Sequence, residues 1–151
     1  IQVKSFFKKI NLNWNIVEQK HYVKFAKKNF QDKNLNFFNN VEEILEPSNL
    51  ILLSNSLQYL QDPYKILTIL IKRSSNYICI DAIPLSDDPE YVSHEIPPGY
   101  IYNSSYPIWI LNKKKLISFL NKNNYILINN ITLNYFISDI KYHHFFCKKK
   151  S

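Results

Sequence analysis

The residues able to do chemistry fall just after short apolar runs. Residues 14–18 form one such run, closed by Glu18 with Gln19 behind it, and residues 35–38 form a second, followed by Asn39 and Asn40. Residues 50–53 form a third, followed by Ser54, Asn55 and Ser56 and then Leu57, Gln58 and Tyr59, while residues 77–80 run into Asp81. A carboxylate at the end of a strand can accept both hydroxyls of a ribose. It can equally be a surface acid opening a loop. Asn39 and Asn40 carry the amide chemistry to read an adenine edge, and the same chemistry caps turns. Asp81 can take a proton or cap its strand.

A second set of polar residues lies in the segment 82–107, which holds His94, Glu95, Tyr100, Tyr102 and Tyr106. A histidine near tyrosines over a cleft has the chemistry of a general base, and also that of an idle loop histidine. His94 and Asp81 are the catalytic candidates. No Ser/His/Asp triad, phosphate loop or paired-carboxylate motif stands out. His21, His94, His143 and His144 are not spaced with cysteine or carboxylates as a zinc site requires, so no metal is expected. Cys79 and Cys147 sit in apolar runs and read as buried free thiols, which suits a reducing cytoplasm.

The elements that must position these groups alternate. Val3, Phe6, Phe7 and Ile10 recur at helical spacing, so the chain opens on the end of an amphipathic helix. A strand over 14–18 is followed by a helix over 21–29, with Tyr22, Phe25 and Ala26 on one face. A strand over 35–38 and a brief helical turn over 41–45 stop before Pro47. The unbroken run 50–53 reads as a strand buried on both faces. Asp62 and Pro63 are the cap and first turn of a helix reaching about residue 73. A strand over 77–80 ends at Asp81, and 82–107 reads as a long functional loop. A helix over 113–123 and strands over 125–130 and 142–147 close the chain. Strands alternating with helices predict an α/β fold with a mostly parallel sheet. The last two strands lack a helix between them and predict a C-terminal antiparallel hairpin, the mark of a Rossmann-like class I methyltransferase sheet.

Composition bounds the function. The 151 residues are 46% hydrophobic and 15% aromatic, which is globular rather than disordered. No apolar run approaches the roughly 18 residues a membrane-spanning helix needs. The net charge of +7 is spread along the chain, so solvated surface is favoured over a nucleic-acid face. The chain has no methionine and a single glycine, Gly99. One glycine cannot build a nucleotide-binding loop, so the sequence reads as a single partial domain over 1–151, missing its first strand and glycine-rich loop.

Residues 14–19 (WNIVEQ), 53–64 (LSNSLQYLQDPY), 80–84 (IDAIP) and 101–109 (IYNSSYPIW) resemble a family of class I methyltransferases often encoded in bacterial surface-polysaccharide clusters. The resemblance runs in order across roughly residues 5 to 130. It implies S-adenosylmethionine as cofactor and methyl transfer to a sugar or glycan precursor. It puts Glu18 and Gln19 at the ribose and the corner of Ser54, Asn55 and Leu57 beside the cofactor. Tyr59, Tyr102, Tyr106 and Trp109 would then wall a pocket for a small-molecule or glycan acceptor. The chain departs from the family at Ala82 and Ile83, where Arg-Thr commonly follows the aspartate.

Two other readings stand beside this one. A degenerate methyltransferase-like domain could serve as a protein-interaction module without catalysis. A basic domain could meet phosphates through Lys8, Lys9, Lys113, Lys114 and Lys115.

Overall fold

The computed structural model describes residues 12–73, 75–97, 104–137 and 140–150; the expected opening helix lies outside them. The chain divides into two compact units, 1–47 and 48–151.

In the first unit, β1 (Trp14–Val17) leads through α1 (Lys20–Asn29) to β2 (Leu35–Phe38). The two strands pair in parallel, Trp14 opposite Leu35 and Val17 opposite Phe38, which sets their carboxyl ends side by side. Val23 is the buried residue of α1, while Tyr22 and Phe25 are exposed. The apolar face expected from Tyr22, Phe25 and Ala26 is therefore not the inward one. Val23, one position along, carries the packing. A short 3-10 turn over Val41–Glu43 follows β2.

The second unit holds a six-stranded sheet. β3 (Leu50–Ser54) leads through a 3-10 turn, Leu57–Tyr59, to α2 (Pro63–Ile71). Asp62 caps that helix by accepting from the Lys65 backbone N–H at 2.9 Å, and Pro63 occupies the first turn, where its missing N–H costs nothing. β4 (Tyr77–Ser86) and β5 (Tyr91–Glu95) come next, followed by β6 (Tyr106–Asn112), α3 (Lys113–Lys122), β7 (Tyr125–Ile137) and β8 (Ile140–Lys149). Asn112 ends β6 and caps α3, its side chain accepting from the Lys115 N–H at 2.8 Å.

β4 organises the sheet. One edge pairs antiparallel with β8, which pairs antiparallel with β7 in the expected hairpin. The other edge pairs in parallel first with β3, over residues 77–81, and then with β6 at Leu85 and Ser86. Between those two partners the register against β8 shifts, leaving Asp81 and Ala82 in a bulge. β8 shows the alternation of a strand with one face inward. His143, Phe145 and Cys147 are buried, and Tyr142, His144 and Phe146 are on the opposite face. Ile78, Ile80, Leu67, Leu116 and Phe145 meet in the core between sheet and helices.

The fold is α/β, but the sheet is mixed and antiparallel pairing predominates, so the mostly parallel sheet expected from the sequence is corrected. Two misreadings account for this. The segment 82–107 is not one long loop: β4 continues through the bulge to Ser86, and β5 pairs antiparallel with β6. β7 also runs well past residue 130, to Ile137, along its hairpin partner.

Candidate active site at the strand ends

Parallel pairing of β3 and β4 makes Ser54 and Asp81 register partners at the carboxyl ends of their strands. In open α/β sheets that is the edge where ligands bind. The Ser54 hydroxyl donates to Asp81 Oδ2 at 2.7 Å. The other carboxylate oxygen, Oδ1, meets His144 Nδ1 from the neighbouring β8. Asp81 therefore stands between a hydroxyl and an imidazole, with the acid and the histidine each about one-third exposed.

The backbone around this group is unusual. Asn55 and Ala82, the residues after Ser54 and Asp81, both take positive φ, 46° and 53°. Asparagine tolerates that region; for alanine it is costly and persists only where surroundings impose it. Gln58 is one cause. Only 1% exposed, it donates from Nε2 to Asn55 Oδ1 at 2.6 Å and to the Ala82 carbonyl at 3.4 Å. The Asn55 N–H donates to the Asp81 carbonyl at 2.9 Å and closes the corner. Gln58 Oε1 is buried with no hydrogen-bond partner among the described residues, so this corner retains an unfilled acceptor.

The chemistry follows from the order of the three side chains. In a Ser-His-Asp triad the imidazole lies between hydroxyl and acid and takes the serine proton. Here the acid is in the middle, and the Ser54 proton points at Asp81. Ser54 is thus a donor that holds the carboxylate and has no base to make it a nucleophile. Neither thiol supplies a nucleophile: burial pushes Cys147 up to about 12, with Cys79 adding to the effect, and burial also raises Cys79.

A second cluster joins residues distant in sequence. The antiparallel register of β5 and β6 sets Glu95 opposite Tyr106. The Tyr59 hydroxyl donates to Glu95 Oε2 at 2.8 Å, and the Tyr59 and Tyr106 rings meet edge to face at 5.6 Å. Burial and then the Glu95 carboxylate push the Tyr59 phenol well above its usual value, so it stays protonated and donates. Burial and Glu95 also raise Tyr142, which shares the outward face of β8 with His144 two residues along.

The residues named from the sequence are placed as follows. Ser54, Asn55 and Asp81 come together, as do Tyr59 and Tyr106. Leu57 is 1% exposed and packs in the core, which leaves its backbone rather than its side chain for any ligand. Trp109 is half-buried against the same core. His94 is exposed on β5 opposite Pro107, and the histidine on Asp81 is His144 instead. Tyr102 lies outside the described residues. In the first unit, Glu18 follows β1. Its N–H donates to the Phe38 carbonyl at 3.0 Å, and its exposed carboxylate accepts from the Gln19 N–H at 2.8 Å. Asn39 and Asn40 follow β2 at the same end of the pair. Asn40 donates from its N–H at 3.1 Å and from Nδ2 at 3.3 Å to Glu43 Oε1, so its amide is engaged in capping the turn.

Sequence reasoning missed His144, and it named Gln58 after the third strand without giving it a role. For His144 the available signal was the period of two along β8, which sets it on the face opposite Phe145 and Cys147. Gln58 carried no such signal, because an exposed and a buried glutamine look alike in sequence. A groove of about 490 Å³ runs along one face of α3, lined by Lys114, Ile117, Ser118, Asn121 and Lys122. It contains none of the strand-end groups. Among the described residues no cluster of three His, Cys, Asp or Glu forms.

In the first unit, the Glu18 carboxylate at the end of β1 has the chemistry to accept the hydroxyls of a ribose. In the second, a hydroxyl and an amide form the corner after β3.

No protein-family model matches the chain, and no curated protein matches its sequence. Solved structures match its fold. An S-adenosylmethionine-dependent methyltransferase from Methanosarcina mazei does so with a TM-score of 0.64 at 9% identity, over 99% of this chain and 87% of that one. The 1,6-didemethyltoxoflavin-N1-methyltransferase of Burkholderia thailandensis, with 1,6-didemethyltoxoflavin and S-adenosylhomocysteine bound, gives 0.58 at 12% identity, over 89% of this chain. The chain spans 59% of that enzyme's length. The N-terminal domain of EvdMO1, with S-adenosylhomocysteine bound, gives 0.63 at 14% identity, over 99% and 69% of the two chains. The chain therefore has the Rossmann-like α/β fold of S-adenosylmethionine-dependent methyltransferases. At these identities the likeness is one of fold, and one fold hosts many reactions.

Proposed function

We propose that residues 1–151 belong to a single methyltransferase domain that uses S-adenosylmethionine, with a small molecule or glycan as acceptor. The observation that carries this reading is the strand order β3, β4, β8, β7 with its closing hairpin, which sets the Ser54–Asp81 pair at a carboxyl-end edge. Glu18 would accept the ribose hydroxyls, with Gln19 beside it. Asn39 would meet the adenine edge, with Asn40 capping the turn behind it. In the second unit, Ser54, Asn55 and the Leu57 backbone are the proposed cofactor contacts. When bound, the cofactor supplies an electrophilic methyl on a sulfonium, so the protein's task is to bring an acceptor atom into line and keep water out. Tyr59 and Tyr106, paired over Glu95, offer an aromatic face and a carboxylate to such an acceptor; the sequence resemblance would add Trp109 and Tyr102 to the acceptor pocket. Of the two proton acceptors read from the sequence, Asp81 has a place at the strand ends, while His94 is exposed on β5. Surface-polysaccharide precursors are the acceptor class that the sequence resemblance favours, and a cytoplasmic location accords with them.

Thermal unfolding of the full-length protein with S-adenosylhomocysteine tests this. A ligand that binds only the folded state, present at 100 times its Kd, stabilises by about 2.7 kcal/mol. A rise in Tm that saturates with concentration is expected. An unchanged Tm would favour an interaction module.

A further inference from the structure

We infer that His144 is the proton acceptor at this site, that Asp81 positions it, and that the group it deprotonates is a hydroxyl. The inference rests on the methyltransferase reading for the identity of the electrophile.

Three observations converge on His144. First, its Nδ1 is taken up by Asp81 Oδ1. A carboxylate there fixes the proton on Nδ1 and leaves the lone pair on Nε2, which has no partner among the described residues. Second, Asp81 is itself held. Ser54 occupies its other oxygen, and the bulge with Ala82 at φ 53° turns it out of the regular pleat toward β8. A strained residue and a buried amide kept to aim one carboxylate are features that collect at functional sites. Third, the neighbours of His144 leave its outer nitrogen to a ligand. β7 sets Ile131 opposite it in register, and β8 carries Tyr142 on the same face. The Glu95 charge is felt at Tyr142, and Glu95 holds the hydroxyl of Tyr59, whose ring meets Tyr106.

The presence of a base selects the acceptor. A neutral amine attacks through a free lone pair and can lose its proton afterwards. An alcohol is a poor nucleophile until its proton is being removed. In the step assigned here the acceptor oxygen forms its bond to the methyl carbon as the carbon–sulfur bond breaks. That bond's electron pair stays on sulfur, and the hydroxyl proton passes to His144 Nε2. Asp81 balances the imidazolium charge without taking the proton.

The test needs no knowledge of the acceptor. Nitrogen-15 NMR of the full-length protein should find the His144 ring protonated on Nδ1 and bare on Nε2. Acylation by diethylpyrocarbonate near neutral pH, followed residue by residue by mass spectrometry, should then modify His144 several-fold faster than the exposed His21 and His94. Asp81→Asn should slow it several-fold. A ring protonated on Nε2, or a His144 no faster than His21, would overturn the assignment, and the wild-type protein alone supplies both readings. Thermal unfolding with S-adenosylhomocysteine separates the two ideas. Stabilisation with an unreactive His144 removes the base and leaves the methyltransferase. No stabilisation removes the methyltransferase and with it the source of the proton, however His144 reacts.

Discussion

Ser54 and Asp81 end adjacent parallel strands in register, and the hydroxyl of one donates to the carboxylate of the other at 2.7 Å. The bond ties the tips of β3 and β4 together at the carboxyl-end edge, where open α/β sheets bind ligands. Its surroundings are partly open to water, which limits its worth. Ser54→Ala should cost about 1 kcal/mol of stability in urea unfolding. A loss several times larger would mean that the serine supports more than this carboxylate.

Ala82 makes a sharper case. Its φ of 53° costs an alanine about 1–2 kcal/mol, and a glycine nothing. Glycine also loses more chain entropy on folding, which offsets part of the gain. Ala82→Gly should leave stability unchanged or raise it by up to about 1 kcal/mol. A clear drop in Tm would show that the alanine methyl packs usefully and that the backbone is not under strain.

Gln58 is buried and directs two amide hydrogen bonds at the strained corner. Removing it leaves Asn55 Oδ1 and the Ala82 carbonyl without their donor. Gln58→Ala should destabilise by about 1–3 kcal/mol and loosen the Ser54–Asp81 corner. Hydrogen exchange at the Asn55 amide, which donates to Asp81, is the local readout. Unchanged protection there would separate Gln58 from the site.

How much of this was legible in the sequence follows from what each feature depends on. The ends of β3 and β4 could be read because unbroken apolar runs mark strands, although the burial on both faces expected of residues 50–53 does not hold: Ile51 is buried, while Leu50 and Leu52 are exposed on the opposite face. The cap of α2 could be read because Asp62 and Pro63 act locally. The closing hairpin followed from the lack of a helix between residues 125 and 147. β5 could not be read, since Tyr91, Val92 and His94 are exposed and its strand character comes from β6 alone. The bulge at Asp81 was equally invisible, because it exists only as a register shift against β8, some 60 residues on. His144 was hidden for the same reason, as its role depends on which face of β8 meets that bulge.

His143, the neighbour of His144, points the other way and is 4% exposed. Its Nδ1 meets Asn130 Oδ1 at 2.9 Å, and burial, aided by Lys113 and Lys141, pushes its pKa below the usual 6.5. The unfolded chain therefore takes up a proton that the folded chain resists. Stability should fall as pH drops below about 6.5 and level off below the depressed folded value. In His143→Gln that part of the decline should vanish. Tm measured from neutral to mildly acid pH in both proteins checks the difference, and parallel curves would mean that His143 titrates freely in the fold.

The central proposal is that Glu18, at the carboxyl end of β1, takes the ribose of a nucleoside cofactor. Calorimetric titration of S-adenosylhomocysteine into the full-length protein and its Glu18→Ala variant tests it most directly. The account predicts saturable binding by the wild type, weakened in the variant by about 1–3 kcal/mol through the lost charged hydrogen bonds. No binding by the wild type, or equal affinity in the two proteins, would contradict it.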